Sequence, residues 1–487
     1  MAGKGAFMLT LAQACLYLSN ATIRGNPAAV FKRVHTDSRS LQSQDLFVAL
    51  TGERFDAHDF LPQVRAWGDC TALISAQHLP PKGLNAIVVP DPKKALGELA
   101  AGWRKRFMLP LAVVTGSNGK TTTKDMIASI FKAAVGSDHV LYTQGNLNND
   151  IGLPLTLLKL NAAHRLAVIE LGMNHPGETA TLAAIAQPTI ALVNNAQREH
   201  QEFMASVEAV AQEHAAAIKA LPSAGIAVFP QEDVYSSVWR AVADERKRIE
   251  FALRINDIKE KEDTQEVESQ STLVLMRACS QNRFEIRIKQ GENYFWYPIC
   301  LQIQGMHNQL NALAAASVAV AANIAPEAIV HGLCDFLPSP GRMQNLSGFP
   351  YRLINDSYNA NPDSVRAAID ALAASTNGTK VLILGDMGEV GEQGPAFHSE
   401  IGQYAASMQI DVLLTLGQAT ELTHQAYKTH LPSGVAKHLQ SVQEASQFLD
   451  ELALPPDACV LVKGSRFMQM ERVIEELKKA SQGVSAC

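Results

Sequence analysis

Cysteine is scarce in this chain and unpaired. The seven residues fall at 15, 70, 279, 300, 334, 459 and 487, an odd number with no two close together. That excludes a disulfide scaffold, offers no zinc-ligand spacing, and leaves buried or incidental thiols in a reducing compartment. A basic excess is missing too: 42 Lys and Arg stand against 48 acidic residues, giving a formal net charge of −6 and a pI near 6.2. Bulk attraction to nucleic acid is excluded, whereas a phosphate gripped by local geometry is not. Nor is there a long apolar run. The longest, the alanine-rich 312–322, is too short to span a bilayer. The opening MAGKGAFMLTLAQACLYLSN has one lysine and no clean apolar core, so no signal peptide is read and a cytoplasmic location is expected. Solenoid repeats and low-complexity tracts are absent.

What the chain does have is length and apolar material. Its 487 residues suggest roughly three domains, and 47% hydrophobic against 18% charged residues supply ample cores. Early strand-like runs are LFVAL at 46–50 and AIVV at 86–89, followed by a helical segment around residues 95–107. From 111 onward, unbroken apolar runs (LAVVT, then 166–171, 190–194 and 226–229) alternate with helical stretches. Runs without alternation fit strands buried on both faces, and the rhythm predicts a parallel, doubly wound α/β sheet. Residues 244–270 are dense in mixed charge and read as a solvated surface excursion. Strand-like material returns at 272–277, 284–289 and 294–299, the last (YFWYPI) aromatic enough to pack against something. After the turn LPSPG at 337–341 the α/β rhythm resumes at 351–356, 381–385, 412–417 and 459–464. The expected domains are 1–93, 94–338 and 339–487.

The strongest chemical feature is LAVVTGSNGKTTTKDMIASIF at 111–131. A buried strand ends at Thr115; Gly116, Ser117, Asn118 and Gly119 turn; Lys120, Thr121 and Thr122 open a helix with an apolar stripe at Met126, Ile127, Ile130 and Phe131. Backbone N–H groups and the positive helix end suit phosphate oxygens. Lys120 would neutralise outer phosphates, and the Thr121 hydroxyl would ligate a bridging magnesium. The spacing departs from GxxxxGK[ST], since only two residues separate Gly116 from Gly119 and position 114 is valine.

Ligands of an open parallel sheet sit beyond the carboxyl ends of its strands. Glu170 closes one such strand and reads either as a magnesium carboxylate or as a surface cap. His200, past another strand end, is a metal ligand or a structural histidine. GNLNNDIGLP at 145–154 carries Asn146, Asn148 and Asn149, amides suited to a polar substrate or to ordinary turns. Asn311, in GMHNQLNALAAAS, faces a purine edge or belongs to a capped core helix.

Together these pieces resemble the Mur ligase family, the ATP-dependent amide-bond ligases of peptidoglycan synthesis. The resemblance runs over nearly the whole chain through TGSNGKTTTK, GNLNNDIG, VIELGMNHPGE, NALAAAS, PGR at 340–342, DSYNANPDS at 356–364, GDMGEVG at 385–391 and LVKGSR at 461–466. The TDSRSLQSQDLFVALTGERFDAHDF block at 36–60 and DSYNANP are similar to the members that join D-alanyl-D-alanine to UDP-MurNAc-tripeptide. The text of the third-residue-adding members, DYAHTP or DNPR, does not occur. The family start would lie near Met8.

The resemblance implies an α/β protein of three domains: an N-terminal UDP-sugar domain, a central P-loop domain and a C-terminal Rossmann-like domain. It implies ATP and Mg²⁺, an acyl-phosphate intermediate, and a monomeric enzyme. Lys120, Glu170 and His200 match catalytic positions, with Thr121, Glu170 and His200 on metal. Asn311, Arg342 and Asp356 match adenine, phosphate and ribose contacts, with Tyr358 and Asn359 in the same loop. Ser38, Arg54 and His58 match the UDP-sugar domain, and Lys463 and Ser465 a C-terminal substrate motif. Relatives often carry a lysine, modified to a carbamate, downstream of the histidine; here AVAQEHAAAI puts His214 at that place and Ala216 at the neighbouring acidic one. Either His214 substitutes as a ligand, or substrate, His200 and water hold a second cation. Asn355 stands where relatives often have aspartate. The alternatives are another ligase of the family (tripeptide synthetase or folylpolyglutamate synthase-like) and a nucleotide-binding regulator without ligase activity.

Overall fold

The computed structural model describes residues 8–53, 55–254, 271–280 and 283–484. Arg54 and the 255–270 part of the charged run lie outside the described residues. Three larger sheets organise the rest. The first has five strands in the order 22–24, 85–89, 71–75, 45–48, 33–35, parallel except for its first. The second has nine, ordered 293–300, 283–290, 271–280, 247–254, 226–230, 190–193, 111–115, 166–170, 140–142. Its strands run parallel from 140–142 to 271–280, and two antiparallel strands then close the far edge. The third has six, ordered 344–346, 352–356, 459–463, 380–385, 412–416, 435–439, parallel apart from the first.

The unbroken apolar runs have a physical cause. Along Leu111–Thr115, Ala112 and Val114 enter one core while Leu111 and Val113 enter another on the opposite face. Helices Lys120–Val135 and Met306–Ala321 cover the first face; Pro92–Arg104, Glu178–Ala186 and Val207–Lys219 cover the second. A strand buried on both sides has no polar face to show.

The charged run at 244–270 is corrected over part of its length. Lys247–Arg254 is a strand, mostly buried, in the middle of the nine-stranded sheet. Ile249 and Phe251 enter the core against helix Met306–Ala321 with Leu253 packed beside them. On the other face, Glu250 is held by the Arg240 guanidinium at 2.6 Å. Paired buried charges kept the period-2 alternation, but raised the charge density enough to hide it. The aromatic YFWYPI run forms the edge strand Asn293–Cys300. Trp296 and Tyr294 lie under Arg277 and Arg287, at 4.2 and 4.6 Å from ring centre to guanidinium. No helix of the described residues is long and apolar enough to cross a membrane.

Candidate active site

A cleft of about 1260 Å³ opens between the carboxyl ends of the nine-stranded sheet and those of the six-stranded one. Strands 111–115, 166–170 and 190–193 run parallel in register, so the turns after them share one rim. On that rim lie the phosphate loop, Glu170 and the 194–201 loop.

The loop is built as a tight turn. Gly119 has φ +78°, and a Cβ there would stand 2.3 Å from Asn311 Oδ1. Ser117 and Asn118 are held by the neighbouring turn: their N–H groups donate to the Asn195 carbonyl and to Asn195 Oδ1, at 3.2 and 2.9 Å. Ser117 Oγ pairs with Gln197, and the Asn118 amide with Gln197 and Asn361. These side chains shape the loop. No side chain caps helix Lys120–Val135, so the first-turn N–H groups from Lys120 to Thr122 are the ones open to an anion.

Lys120 Nζ donates to the carbonyls of Gly116 and Ser117 and to Glu199 Oε2, at 2.5, 3.2 and 3.1 Å. Thr121 Oγ1 and Asn148 Nδ2 donate to Glu170 Oε1, at 3.1 and 2.8 Å. Glu170 is 2% exposed and its other oxygen, Oε2, is buried with no hydrogen-bond partner. A buried carboxylate oxygen left unpartnered beside a threonine hydroxyl suits a hard divalent cation. His200 has a left-handed backbone, φ +47°, and its Nδ1 lies 2.8 Å from Glu389 of the opposite wall. The Glu389 carboxyl is held below its ordinary range first by that contact, against the opposing effect of burial.

The other wall belongs to the third sheet. Asp356 and Lys463 are register partners at the ends of adjacent strands, and Lys463 Nζ donates to Asp356 Oδ2 at 2.7 Å. The Met343 N–H donates to Asp356 Oδ1. Arg342 stacks on Tyr358, 4.0 Å from ring centre to guanidinium, and Asn359 lies beside them in the cleft. Asn311 sits behind Gly119, with Oδ1 accepting from Asn194 and Nδ2 donating to Asn308. Asn146, Asn148 and Asn149 line the cleft; Asn149 Oδ1 also accepts from Gly152 N–H.

Some candidates lie elsewhere. The cleft wall holds no residue before Ser117, so Ser38 and His58 are apart from it. His58 is buried, accepts from Ser75 N–H, contacts Asp56 and stacks on His78 with ring centres 3.8 Å apart. Ser465 is buried between the Ala360 carbonyl and the Gly388 N–H. His214 has no exposure: one ring nitrogen is 2.8 Å from Thr115 Oγ1 and the other 2.8 Å from Glu199 Oε1. Both ring nitrogens are thus engaged within the protein, which leaves His214 no free atom to offer a cation.

Arg198, Glu199 and Glu389 escaped the sequence reading. Arg198 reaches Asp363 at 2.6 Å and Glu400 at 2.7 Å, joining the two walls. Glu199 is 5% exposed. Burial pushes its carboxyl up, but the Lys120 charge, His214 and His200 outweigh that and hold it at about 2. The only signal in the sequence was its place beside His200.

A phosphate loop facing a second α/β sheet across a polar cleft defines a nucleotide-dependent α/β enzyme. Residues 114–319 match the Mur ligase middle domain, and residues 341–466 the Mur ligase glutamate ligase domain. The UDP-N-acetylmuramoyl-tripeptide–D-alanyl-D-alanine ligase of Escherichia coli K12 is 36% identical over 92% of this chain and 93% of its own. That of Bacillus subtilis 168 is 32% identical over 92% and 93%. A crystal structure of MurF from Acinetobacter baumannii superposes with a TM-score of 0.84 at 31% identity, covering 97% of this chain and 99% of that one. The chain belongs to the Mur ligase family.

Proposed function

We propose that the chain joins D-alanyl-D-alanine to UDP-MurNAc-tripeptide at the cost of ATP, yielding UDP-MurNAc-pentapeptide, ADP and phosphate. The observation that carries this is the shared cleft: the uncapped helix with Lys120 on one wall, the Asp356–Lys463 pair on the other. A free carboxylate is a poor acyl donor. Attack of the tripeptide carboxylate on the γ-phosphorus gives an acyl phosphate and ADP; the dipeptide amine then displaces phosphate. The chain contributes positioning, charge neutralisation and exclusion of water.

In this reading Gly116–Thr122 cradle the phosphates, with Lys120 against the outer ones. Asn311, Arg342, Asp356, Tyr358 and Asn359 surround adenosine and phosphate. Residues 1–93, with Ser38, Arg54 and His58, hold the UDP-sugar; 94–338 carry the nucleotide; and 339–487 close over it. Asn146, Asn148, Asn149 and Lys463 face the peptide, while Ser465 positions the 386–388 turn. Thr121 and Glu170 would hold one magnesium and His200 a second, and the ions would supply charge neutralisation at the phosphates. The unpartnered Glu170 oxygen supports that assignment. A monomeric, cytoplasmic enzyme fits this reading.

The test is ADP release. It should require both UDP-MurNAc-tripeptide and D-alanyl-D-alanine, and a single amino acid serving equally well would reject the step. Lys120→Ala should lower turnover by about 10²–10³-fold, the scale of one preorganised charge-stabilising donor. The variant should still fold, by circular dichroism, but melt lower than the parent because Glu199 loses its ammonium partner.

A further inference from the structure

The phosphate-loop lysine and the buried carboxylate beside it are locked to each other. Lys120 directs its ammonium to two carbonyls of its own loop and to Glu199 Oε2. Glu199 cannot follow it far, because Oε1 is fixed by His214, whose other nitrogen is fixed by Thr115 at the end of strand 111–115. Thr115, His214 and Glu199 are all 5% exposed or less, forming a line from core to cleft that ends on one oxygen. That oxygen lies 3.8 Å from His200 Nε2. Drawing the two atoms about 1 Å closer would make them adjacent ligands of one octahedral cation with bonds of about 2.1 Å.

Two demands on Lys120 then collide. A triphosphate in the loop draws the ammonium toward its own charge. Glu199 Oε2 is then left buried, ionised and unpaired, which is costly in a low-dielectric wall. We propose that Glu199, oriented by His214, is the carboxylate ligand of a second divalent cation in this chain, and that Lys120 yields it only when triphosphate arrives. The proposal rests on the triphosphate seat argued above. Before nucleotide binds, the ammonium fills the place and repels a cation. Afterwards the carboxylate, His200 and the phosphate oxygens converge. The carboxylate comes from the 194–201 loop, and the helix Val207–Lys219 contributes only the imidazole that aims it. His214 is a positioning residue.

Manganese counted by electron paramagnetic resonance on the full-length protein tests this without turnover. With β,γ-methylene-ATP the parent should bind two Mn²⁺ per chain, and without nucleotide no tight ion at this place. Glu199→Gln should bind one, with nucleotide affinity changed only a few-fold. His214→Gln should keep the second ion but weaken it about 10- to 100-fold, the usual effect of losing a group that orients a ligand; that variant serves if Glu199→Gln does not fold. Equal counts in parent and Glu199→Gln, whether one or two, would overturn the assignment. Failure of the parent to bind the nucleotide at all would instead overturn the reading of the loop.

Discussion

Glu199 illustrates how one side chain's surroundings decide its charge. Its carboxyl titrates at about 2 in the folded protein against 4.5 ordinarily. A depressed carboxyl stabilises the fold above its ordinary value, and that contribution drains away as pH falls toward the folded one. Parent protein should therefore melt above Glu199→Gln at neutral pH, and the gap should close between about pH 4.5 and about pH 2. Thermal scans of the pair across that range check this; a constant gap would show that the carboxylate's partners do not set its charge. At this scale the sequence was informative where chemistry is local. The placement of Lys120, Thr121 and Glu170 on one cleft rim was readable because a loop, a helix start and a strand end announce themselves within a few residues. Glu199 was not, because its role depends on residues 79 positions upstream and 15 downstream.

Among the elements, Lys247–Arg254 shows the corresponding failure of pattern reading. Charge density suggested solvent, yet the strand lies inside the sheet because Arg240, from the preceding helix, covers Glu250. Arg240→Ala would strand that carboxylate. We expect a loss of about 1–3 kcal/mol, the penalty for an unsatisfied buried acceptor, measurable by denaturant unfolding. Arg240→Ala combined with Glu250→Leu should recover most of it, since an apolar pair needs no partner. Strands 111–115, 166–170 and 190–193 were legible by the opposite logic: with both faces covered they carry no charge before Glu170, which closes its strand at the cleft. Register between them was not legible, because nothing within a strand names its neighbour.

Taken whole, the molecule joins its cleft walls through a small set of polar contacts. Arg198 spans to Asp363 and Glu400, Asn118 to Asn361, and His200 to Glu389. Hydrogen bonds hold both carboxyls on Arg198, and the Glu400 carboxyl is pulled below its ordinary range first by that guanidinium. Arg198→Ala should loosen the walls and raise the nucleotide-free radius of gyration in X-ray scattering, with β,γ-methylene-ATP restoring much of the compactness. An identical radius for parent and variant would mean the apolar contacts behind the cleft suffice. The division into three sheets was readable from the rhythm of runs and turns, but the clasp was not, since its residues lie 165 and 202 positions apart.

The helix Pro92–Arg104 has a consequence of its own. Its Leu96, Leu99 and Trp103 belong to a single apolar core shared by the first and second sheets, and the Trp103 indole donates to the Leu160 carbonyl. A chimera that exchanges the N-terminal module at residue 93 would cut this helix at its first turn and expose greasy surface on both pieces. Transplants should carry the chain through Arg104 together with the surface it rests on, and a stand-alone fragment ending at 93 should be insoluble when expressed.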